Sequence, residues 1–339
     1  MNYPPTTRLI KCDIQTDIKG KWSDFVDGGN GCLYGIPHNA RRVLQFTVED
    51  KSVIEIGPDL GEKQHKYING IKARNGSIYC LPDEAKYILK ITPSMECDAK
   101  VCILNHKLLP GNRFFHKWKE GALAKDGCIY FLPNRGSRIL KLDPSNGDYL
   151  SIVDEAIGGS NYKAAVLGSD GCIYGIHEKQ MKKFNFRDNI VSTSNVGFSF
   201  LTHYEFVGGV LASNGNVYSA NKSGQILKID TTSNNCIILG NKICNNGYPG
   251  WGRPVLGADQ CIYFPPSYYG RVLMFNPNTQ IISLIGDSYG FEECKWRGAV
   301  LARDGFIYCI PYDADDILQL DSRHMNEQVI EFIMQTRVV

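Results

Sequence analysis

A block of apolar residues, turn residues and one tyrosine occurs seven times along this 339-residue chain. Neighbouring copies of the tyrosine are 44 to 51 residues apart, and a sustained period of this length is typical of repeat architectures. The repeat constrains the fold more than any other feature, because each unit must bury its apolar residues against the next one. The seven tyrosines are Tyr34, Tyr79, Tyr130, Tyr174, Tyr218, Tyr263 and Tyr308.

Each repeat has the pattern of a small antiparallel sheet. An apolar strand leads to an Asn-Gly or Asp-Gly pair, which is a strong hairpin signal, and a second strand carries the tyrosine. A proline such as Pro133 usually ends this second strand, and two more strands follow, as in residues 138–143 and 149–153. Four short strands per repeat, with little helical periodicity, predict an all-β, seven-bladed β-propeller.

The ring of blades needs a closure, and the sequence offers two segments for one place. Residues 329–333 fall where the fourth strand of the last blade belongs, but residues 8–14 precede the first repeat at the same distance. We expect strands from both termini to meet in one blade, which removes free sheet edges. Residues 1–339 are accordingly expected to form one propeller domain.

Composition argues against several classes of partner. The net charge is +2, acidic and basic residues are interspersed, and no basic run or long apolar segment is present. We therefore expect neither nucleic acid nor membrane as a partner, and, with no secretory signal visible at the start, a cytoplasmic location. Four of the twelve cysteines occupy the same position in different repeats, so they are expected to be reduced and buried: Cys32, Cys128, Cys172 and Cys261.

Two stretches carry a resemblance to known families. Asp126-Gly127-x-Ile129-Tyr130 and Asp304-Gly305-x-Ile307-Tyr308 each follow a small-apolar strand and precede a third strand that ends in aspartate. In this they resemble the propellers of NHL-repeat, streptogramin-lyase and senescence-marker type. The resemblance covers nearly the whole chain and implies the fold, but no catalytic residue of those families can be matched to this sequence.

An aromatic residue stands twelve positions before each repeat tyrosine, where the innermost strand begins. One interpretation places these residues as wedges between neighbouring blades. The other makes them a stacking surface around the channel mouth for a sugar or another flat ligand. The seven are Trp22, Tyr67, Trp118, Tyr162, Phe206, Trp251 and Trp296.

Histidines concentrate on the same predicted face. His38 and His177 follow second strands, and His65, His116 and His203 lie in the loops that lead to the aromatic positions. Histidine exchanges protons or binds metals near neutral pH, so the clustering indicates chemistry at this face. No cofactor is identifiable, and a divalent metal at the channel mouth is one alternative.

Charged residues break the repeat pattern ten positions before the tyrosine. Small residues such as Ala164, Gly208 and Gly298 represent the structural baseline there. Asp24, Asn69 and Glu120 in consecutive blades are expected to face Arg253 across the channel, with Arg297 beside Gly298. The alternative explanation is ordinary salt bridging between blades. The residues that directly follow the second strand also differ from blade to blade, and Tyr268 is one of them.

These features predict an enzyme that acts on a small polar or saccharide-like molecule at the channel mouth. Elimination, hydrolysis or isomerisation by histidine and carboxylate proton transfer fits the residues available. The alternative is a non-catalytic propeller that binds a glycan, peptide or protein. The predicted catalytic residues are His38, His177, Glu120 and Arg253. The predicted substrate-binding residues are Trp22, Asp24, Asn69, Trp118, His203, Trp251, Tyr268, Trp296 and Arg297.

Overall fold

A computed structural model describes residues 6–14, 17–95, 98–104, 118–134, 138–153, 162–177, 181–187, 190–194, 206–244 and 248–323. Their strands form seven antiparallel sheets of four strands each, and no helix occurs among them. The predicted all-β, seven-bladed propeller is confirmed. Within these residues there is consequently no helix that could cross a membrane.

Each of the first six blades contains four consecutive strands. Blade 1 is β2 (Trp22–Asp27), β3 (Cys32–Pro37), β4 (Val43–Thr47) and β5 (Val53–Ile56), and blade 2 is β6 (Tyr67–Lys72), β7 (Ile78–Pro82), β8 (Ile88–Thr92) and β9 (Lys100–Leu104). Blade 3 is β10 (Trp118–Leu123), β11 (Ile129–Pro133), β12 (Ile139–Asp143) and β13 (Tyr149–Val153), and blade 4 is β14 (Ala164–Leu167), β15 (Ile173–Ile176), β16 (Met181–Asn185) and β17 (Ile190–Ser194). Blade 5 is β18 (Phe206–Leu211), β19 (Val217–Asn221), β20 (Ile226–Ile229) and β21 (Cys236–Leu239), and blade 6 is β22 (Val255–Leu256), β23 (Ile262–Phe264), β24 (Val272–Phe275) and β25 (Ile282–Ile285).

The seventh blade closes the ring with strands from both ends of the chain. It consists of β26 (Trp296–Leu301), β27 (Phe306–Pro311) and β28 (Ile317–Asp321), and β1 (Thr7–Ile10) supplies its outer strand. β1 pairs antiparallel with β28, with Thr7 opposite Leu320. The amino-terminal segment therefore forms the outer strand of the last blade, for which the sequence offered two segments. Residues 329–333, the other segment, lie outside the described residues.

The repeated tyrosine has a structural role that explains why it recurs. In every blade its hydroxyl contacts the Asp or Asn four residues earlier, as in Tyr263 to Asp259 at 2.6 Å and Tyr218 to Asn214 at 3.0 Å. The same side chain accepts the backbone N–H two residues on, so it holds the hairpin turn as well. The glycine of the turn adopts positive φ, for example 85° at Gly127. Blade 6 departs from this pattern, because Gln260 takes φ 66° there.

The core lies between the blades. Seven clusters of buried apolar side chains occur among the described residues, and each joins two neighbouring sheets. The expected burial of Cys32, Cys128, Cys172 and Cys261 is confirmed, and their reduced state stays a prediction. First strands of neighbouring blades contact each other around the ring, which places them innermost.

Candidate functional site

The innermost strands are irregular at the position where the sequence predicted site residues. The pairing of first and second strands shifts register between Trp22 and Phe25, between Trp118 and Glu120, and equivalently in three further blades. These β-bulges contain Asp24, Asn69, Gly208 and the Arg297-Gly298 pair, and the one in blade 3 borders Glu120. A β-bulge changes the direction in which a side chain points, so the residue at this position need not follow the regular alternation of side chains along a strand.

Arg253 meets two carboxylates from distant blades. Its guanidinium donates to both carboxylate oxygens of Glu120, at 2.8 and 3.0 Å, and its Nε lies 3.7 Å from Asp24 Oδ2. Blades 6, 3 and 1 are not neighbours, so these contacts span the channel, as the sequence predicted. Bridging between adjacent blades does not describe them. Burial lowers the pKa of Arg253, but Glu120 and Asp24 outweigh it and raise that pKa above its usual value.

Asp24 is the carboxyl group of this cluster with a pKa near neutrality. Burial raises its pKa to about 6, although the positive charge of Arg253 and a hydrogen bond from the Phe25 N–H act in the opposite direction. The small residue in blade 7 makes room for it, because a Cβ atom at Gly298 would lie 2.3 Å from Asp24 Oδ1. Position 298 therefore requires glycine, because any side chain there would collide with Asp24.

A cavity of about 200 Å³ opens beside this cluster at the channel mouth. Its wall includes Asn69 and Glu120 from blades 2 and 3 and polar side chains from three other blades: Lys163, Arg253, Ser267, Tyr268, Cys294 and Arg297. Ser267 Oγ lies 3.0 Å from Cys294 Sγ, and burial raises the pKa of that thiol. The cavity is therefore a convergent polar site, not a flat rim.

Arg297 is the cavity cation whose charge is left without a close carboxylate. Its Nη1 donates to Tyr312 Oη at 3.2 Å, and the guanidinium lies 5.2 Å from the centre of the same ring. Within the described part of the chain it forms no salt bridge, whereas Arg253 is held by Glu120. A phenol does not neutralise a guanidinium, so Arg297 keeps a positive charge at the cavity with no described carboxylate in salt-bridge contact, and this charge also opposes the burial that raises the pKa of Asp24.

The aromatic residues at the start of the first strands lie between neighbouring blades. The seven side chains are at most 6% exposed. The indole N–H groups of Trp22, Trp118, Trp251 and Trp296 donate to backbone carbonyls, at 3.1, 3.1, 2.8 and 2.8 Å. Their burial fits the interpretation that they wedge between neighbouring blades. The predicted stacking role of the four tryptophans is corrected, because they expose no ring face to a ligand. Trp251 still borders the cavity.

Exposed aromatic side chains are instead found around the end of the second strand of blade 6, where Tyr268 lines the cavity. Tyr248 stacks on Tyr268 with ring centres 4.8 Å apart, and 59% of Tyr248 is exposed. Tyr269 meets Phe291 edge to face at 5.3 Å, and Phe291 is 56% exposed. Tyr268 was predicted from its irregular strand exit. Tyr248 was missed, since no repeat position marks the loop that contains it.

The predicted histidines do not form one group. His38 is buried, its Nε2 lies 3.1 Å from His65 Nδ1, and its Nδ1 lies 3.3 Å from Tyr312 Oη. Burial, with the nearby Arg297 charge, lowers the pKa of His38 to about 3. His38 therefore reaches the cavity only through Tyr312 and Arg297.

His177 lies apart from these contacts. It sits in blade 4 with its ring edge toward Tyr162, at 6.1 Å between centres. The structure thus does not bring it to His38, Glu120 or Arg253. The predicted site residue His203, and His116 with it, lie outside the described residues.

The opposite face, where the Asp-Gly and Asn-Gly turns lie, has a different character. A cavity of about 490 Å³ there is lined by Asp27, Lys51, Arg303 and Asp304, among others. Lys51 Nζ is 3.3 Å from Asp304 and 2.6 Å from Tyr308 Oη, and Arg303 donates to the Gly29 carbonyl. These charges already have partners within the protein.

Comparison with known proteins supports the fold. No protein-family model matches the chain, and no curated protein sequence matches it. A streptogramin B lyase structure aligns with a TM-score of 0.73 at 15% identity, over 94% of this chain and 97% of that one. A catalytically inactive variant of virginiamycin B lyase from Staphylococcus aureus, with quinupristin, gives 0.72 at 16% identity, over 94% and 99%. YCF48 bound to D1 peptide gives 0.64 at 13% identity, over 94% and 95%. The chain therefore has a streptogramin-lyase-like propeller fold, which is also the fold of a peptide-bound protein.

Proposed function

We propose that this protein is an enzyme that binds a small anionic, saccharide-like molecule in the channel-mouth cavity and transfers protons on it. The observation that carries the proposal is Arg297, which faces the cavity without a salt bridge to any described residue. A guanidinium recognises a carboxylate or phosphate group through paired N–H donors. The cavity is smaller than the roughly 300–1,000 Å³ of drug-sized ligand pockets, so it suits a small molecule or one end of a larger one.

The cavity wall supplies groups for acid–base chemistry. Lys163 and Tyr268 carry side chains that can accept or donate protons, and they line the same space as Arg297. If a substrate carboxylate lies on Arg297, a proton removed from the adjacent carbon leaves negative charge on that carboxylate. The guanidinium would stabilise this charge, which favours elimination or isomerisation.

The convergence of polar side chains on one cavity supports an enzyme over a protein that only binds its ligand. Catalysis needs several titratable groups around one point, whereas a recognition surface spreads them out. Glu120, with both oxygens engaged by Arg253, serves better as fixed charge than as a free base. Tyr268 lines the cavity, and the exposed ring of Tyr248 stacks on it, so the pair offers aromatic surface for the ring of a sugar, and we take hexuronates as the first substrate class to test.

The test compares D-glucuronate and D-galacturonate, free and as short oligomers, with the matched neutral hexoses. Binding is measured by calorimetry, and elimination by the ultraviolet absorbance of the double bond it creates. Wild-type protein should bind the uronates and not the hexoses, and Arg297→Gln should lose at least about tenfold in affinity, since one charge-assisted hydrogen bond contributes about 1.5–3 kcal/mol. Arg271→Gln is the matched control, because Arg271 is exposed and donates to the Gly286 carbonyl. Equal binding by wild type and Arg297→Gln would refute the proposal.

A peptide ligand without turnover is the second candidate. The exposed rings of Tyr248 and Phe291 favour it, and the YCF48 structure holds a peptide on the same fold. A peptide carboxylate would use the same Arg297. Tight binding of acidic peptides, with no reaction on any uronate, would replace the enzyme with this alternative.

A further inference from the structure

Three potential metal ligands come together where blades 1 and 2 meet. Within the described residues, the ligand atoms of His38, His65 and Asp83 lie within 4.8 Å of one another. His38 and Asp83 occupy the same position in the two blades, four residues after the repeat tyrosine, and both are buried. His65 lies on the loop between β5 and β6 and is exposed. The group is separate from the cavity and from the Arg253 cluster.

The spacing of the two imidazoles suits a tetrahedral ion. His38 Nε2 and His65 Nδ1 are 3.1 Å apart. Two nitrogen ligands on tetrahedral zinc, each about 2.1 Å from the metal, lie roughly 3.4 Å from each other. A metal could therefore enter between them with a shift of a few tenths of an ångström.

The second nitrogen of His38 has an orienting partner. Tyr312 Oη lies 3.3 Å from His38 Nδ1, and when Nδ1–H donates to this oxygen, Nε2 is left unprotonated. Metal-binding histidines are commonly fixed by such a partner on the nitrogen that does not bind the metal. In the metal-free protein His65 Nδ1–H then donates to His38 Nε2.

The backbone holds His65 in an unusual conformation. Its φ is +53°, which non-glycine residues rarely adopt. Its N–H donates to Asn39 Oδ1 at 2.8 Å, and its carbonyl accepts from the Glu84 N–H at 2.8 Å. The next residue, Lys66, donates its N–H to the His38 carbonyl and accepts from the Asp83 N–H. The loop is thus fixed to both of the other ligands, and its strained residue is the exposed histidine.

We propose that His38 Nε2, His65 Nδ1 and the Asp83 carboxylate bind a divalent transition metal of the zinc type. Two imidazoles and a carboxylate with a fourth, solvent-facing position form the ligand set of catalytic zinc. Zinc takes the place of the proton between His65 Nδ1 and His38 Nε2, and that proton passes through solvent to His65 Nε2, so both ligands remain neutral imidazoles. Through Tyr312 and Arg297 the site is connected to the cavity wall, but its existence does not depend on the proposed function.

The test is titration of the purified full-length protein with Zn²⁺, and separately with Co²⁺, whose absorption spectrum reports geometry and ligands. Wild-type protein should bind one zinc at this site, with the stoichiometry and affinity measured by calorimetry. Co²⁺ should give the intense visible bands of tetrahedral coordination without a thiolate charge-transfer band.

His65→Asn and Asp83→Asn should each lose more than the roughly 10–100-fold in affinity that removal of an orienting partner causes, and Tyr312→Phe should fall within that range. Asparagine at position 65 tolerates positive φ, so this variant should fold, which its melting temperature will verify. His177→Asn is the matched control, since it removes a histidine of blade 4 and should bind zinc as wild type does. Wild-type zinc affinity in folded His65→Asn, or a thiolate band with Co²⁺, would overturn the proposal.

Discussion

Arg253 donates two hydrogen bonds to Glu120 across the channel, at 2.8 and 3.0 Å, although 133 residues separate the two in sequence. The Glu120 side chain is only 3% exposed. A bidentate guanidinium–carboxylate pair of this kind fixes orientation as well as charge. The pair links blades 3 and 6, so it is part of what holds the channel in shape.

Arg253→Ala should therefore lower stability. Removal of the guanidinium leaves Glu120 charged, buried and unpaired, which typically costs about 3–5 kcal/mol. Urea denaturation measures the free energy of unfolding. The double variant Glu120→Leu/Arg253→Met should lose less than Arg253→Ala alone, because it leaves no unpaired charge. A melting temperature unchanged in Arg253→Ala would show that the pair is not buried in solution.

The hydroxyl of the repeat tyrosine should matter more where its partner is charged. Tyr263 bonds to the carboxylate of Asp259 at 2.6 Å, and Tyr218 to the amide of Asn214 at 3.0 Å. We expect Tyr263→Phe to cost about 1.5–3 kcal/mol and Tyr218→Phe about 0.5–1.5 kcal/mol. Both changes remove one oxygen at equivalent buried positions, so each is the control for the other. Equal losses in urea denaturation would mean that the charge of Asp259 adds nothing.

Asp24 should make stability depend on pH in a defined window. Its pKa is about 6 in the folded protein and near 3.8 in the unfolded chain, so the folded state binds more protons between about pH 4 and pH 6. Stability should thus fall as pH rises through that window, by up to about 1.4 kcal/mol per pH unit. Asp24→Asn should lack this fall. Identical pH profiles of the free energy of unfolding in the two proteins would contradict the raised pKa.

Gln260 occupies a turn position that six other blades fill with glycine. At φ 66° its backbone is in the left-handed region, which costs a non-glycine residue about 1–2 kcal/mol, partly offset by the greater flexibility of glycine in the unfolded chain. Gln260→Gly should raise stability by about 0.5–1 kcal/mol. The reverse change, Gly127→Ala, meets no atom closer than 3.8 Å and should lower stability by about 1 kcal/mol through backbone strain alone. Changes in melting temperature of opposite sign in the two variants would support the turn assignment, and changes of the same sign would refute it.

The fold was predictable because the repeat reports the same local physics seven times. The Asp-Gly turn, the tyrosine and the apolar strands recur, so chance matches in one blade are corrected by the others. The charged cluster was predictable for the opposite reason. Asp24, Glu120 and Arg253 break a pattern of small residues, and they do face one another.

The remaining site residues depended on geometry that the repeat does not encode. His177 stands three residues after its tyrosine and His38 four, and successive strand side chains point to opposite sides, which separates them. The bulges that aim the inner-strand residues leave no composition signal. The tryptophans were ambiguous in sequence, since an interblade wedge and a ligand platform require the same residue type.

A crystal structure of the wild-type protein with D-galacturonate would show whether Arg297 binds the substrate carboxylate. We expect one sugar at the channel mouth, with its carboxylate about 2.7–2.9 Å from the guanidinium nitrogens of Arg297 and its ring against Tyr268. A sugar bound instead on the face of the Asp-Gly turns, or in the cavity with its carboxylate away from Arg297, would contradict this expectation.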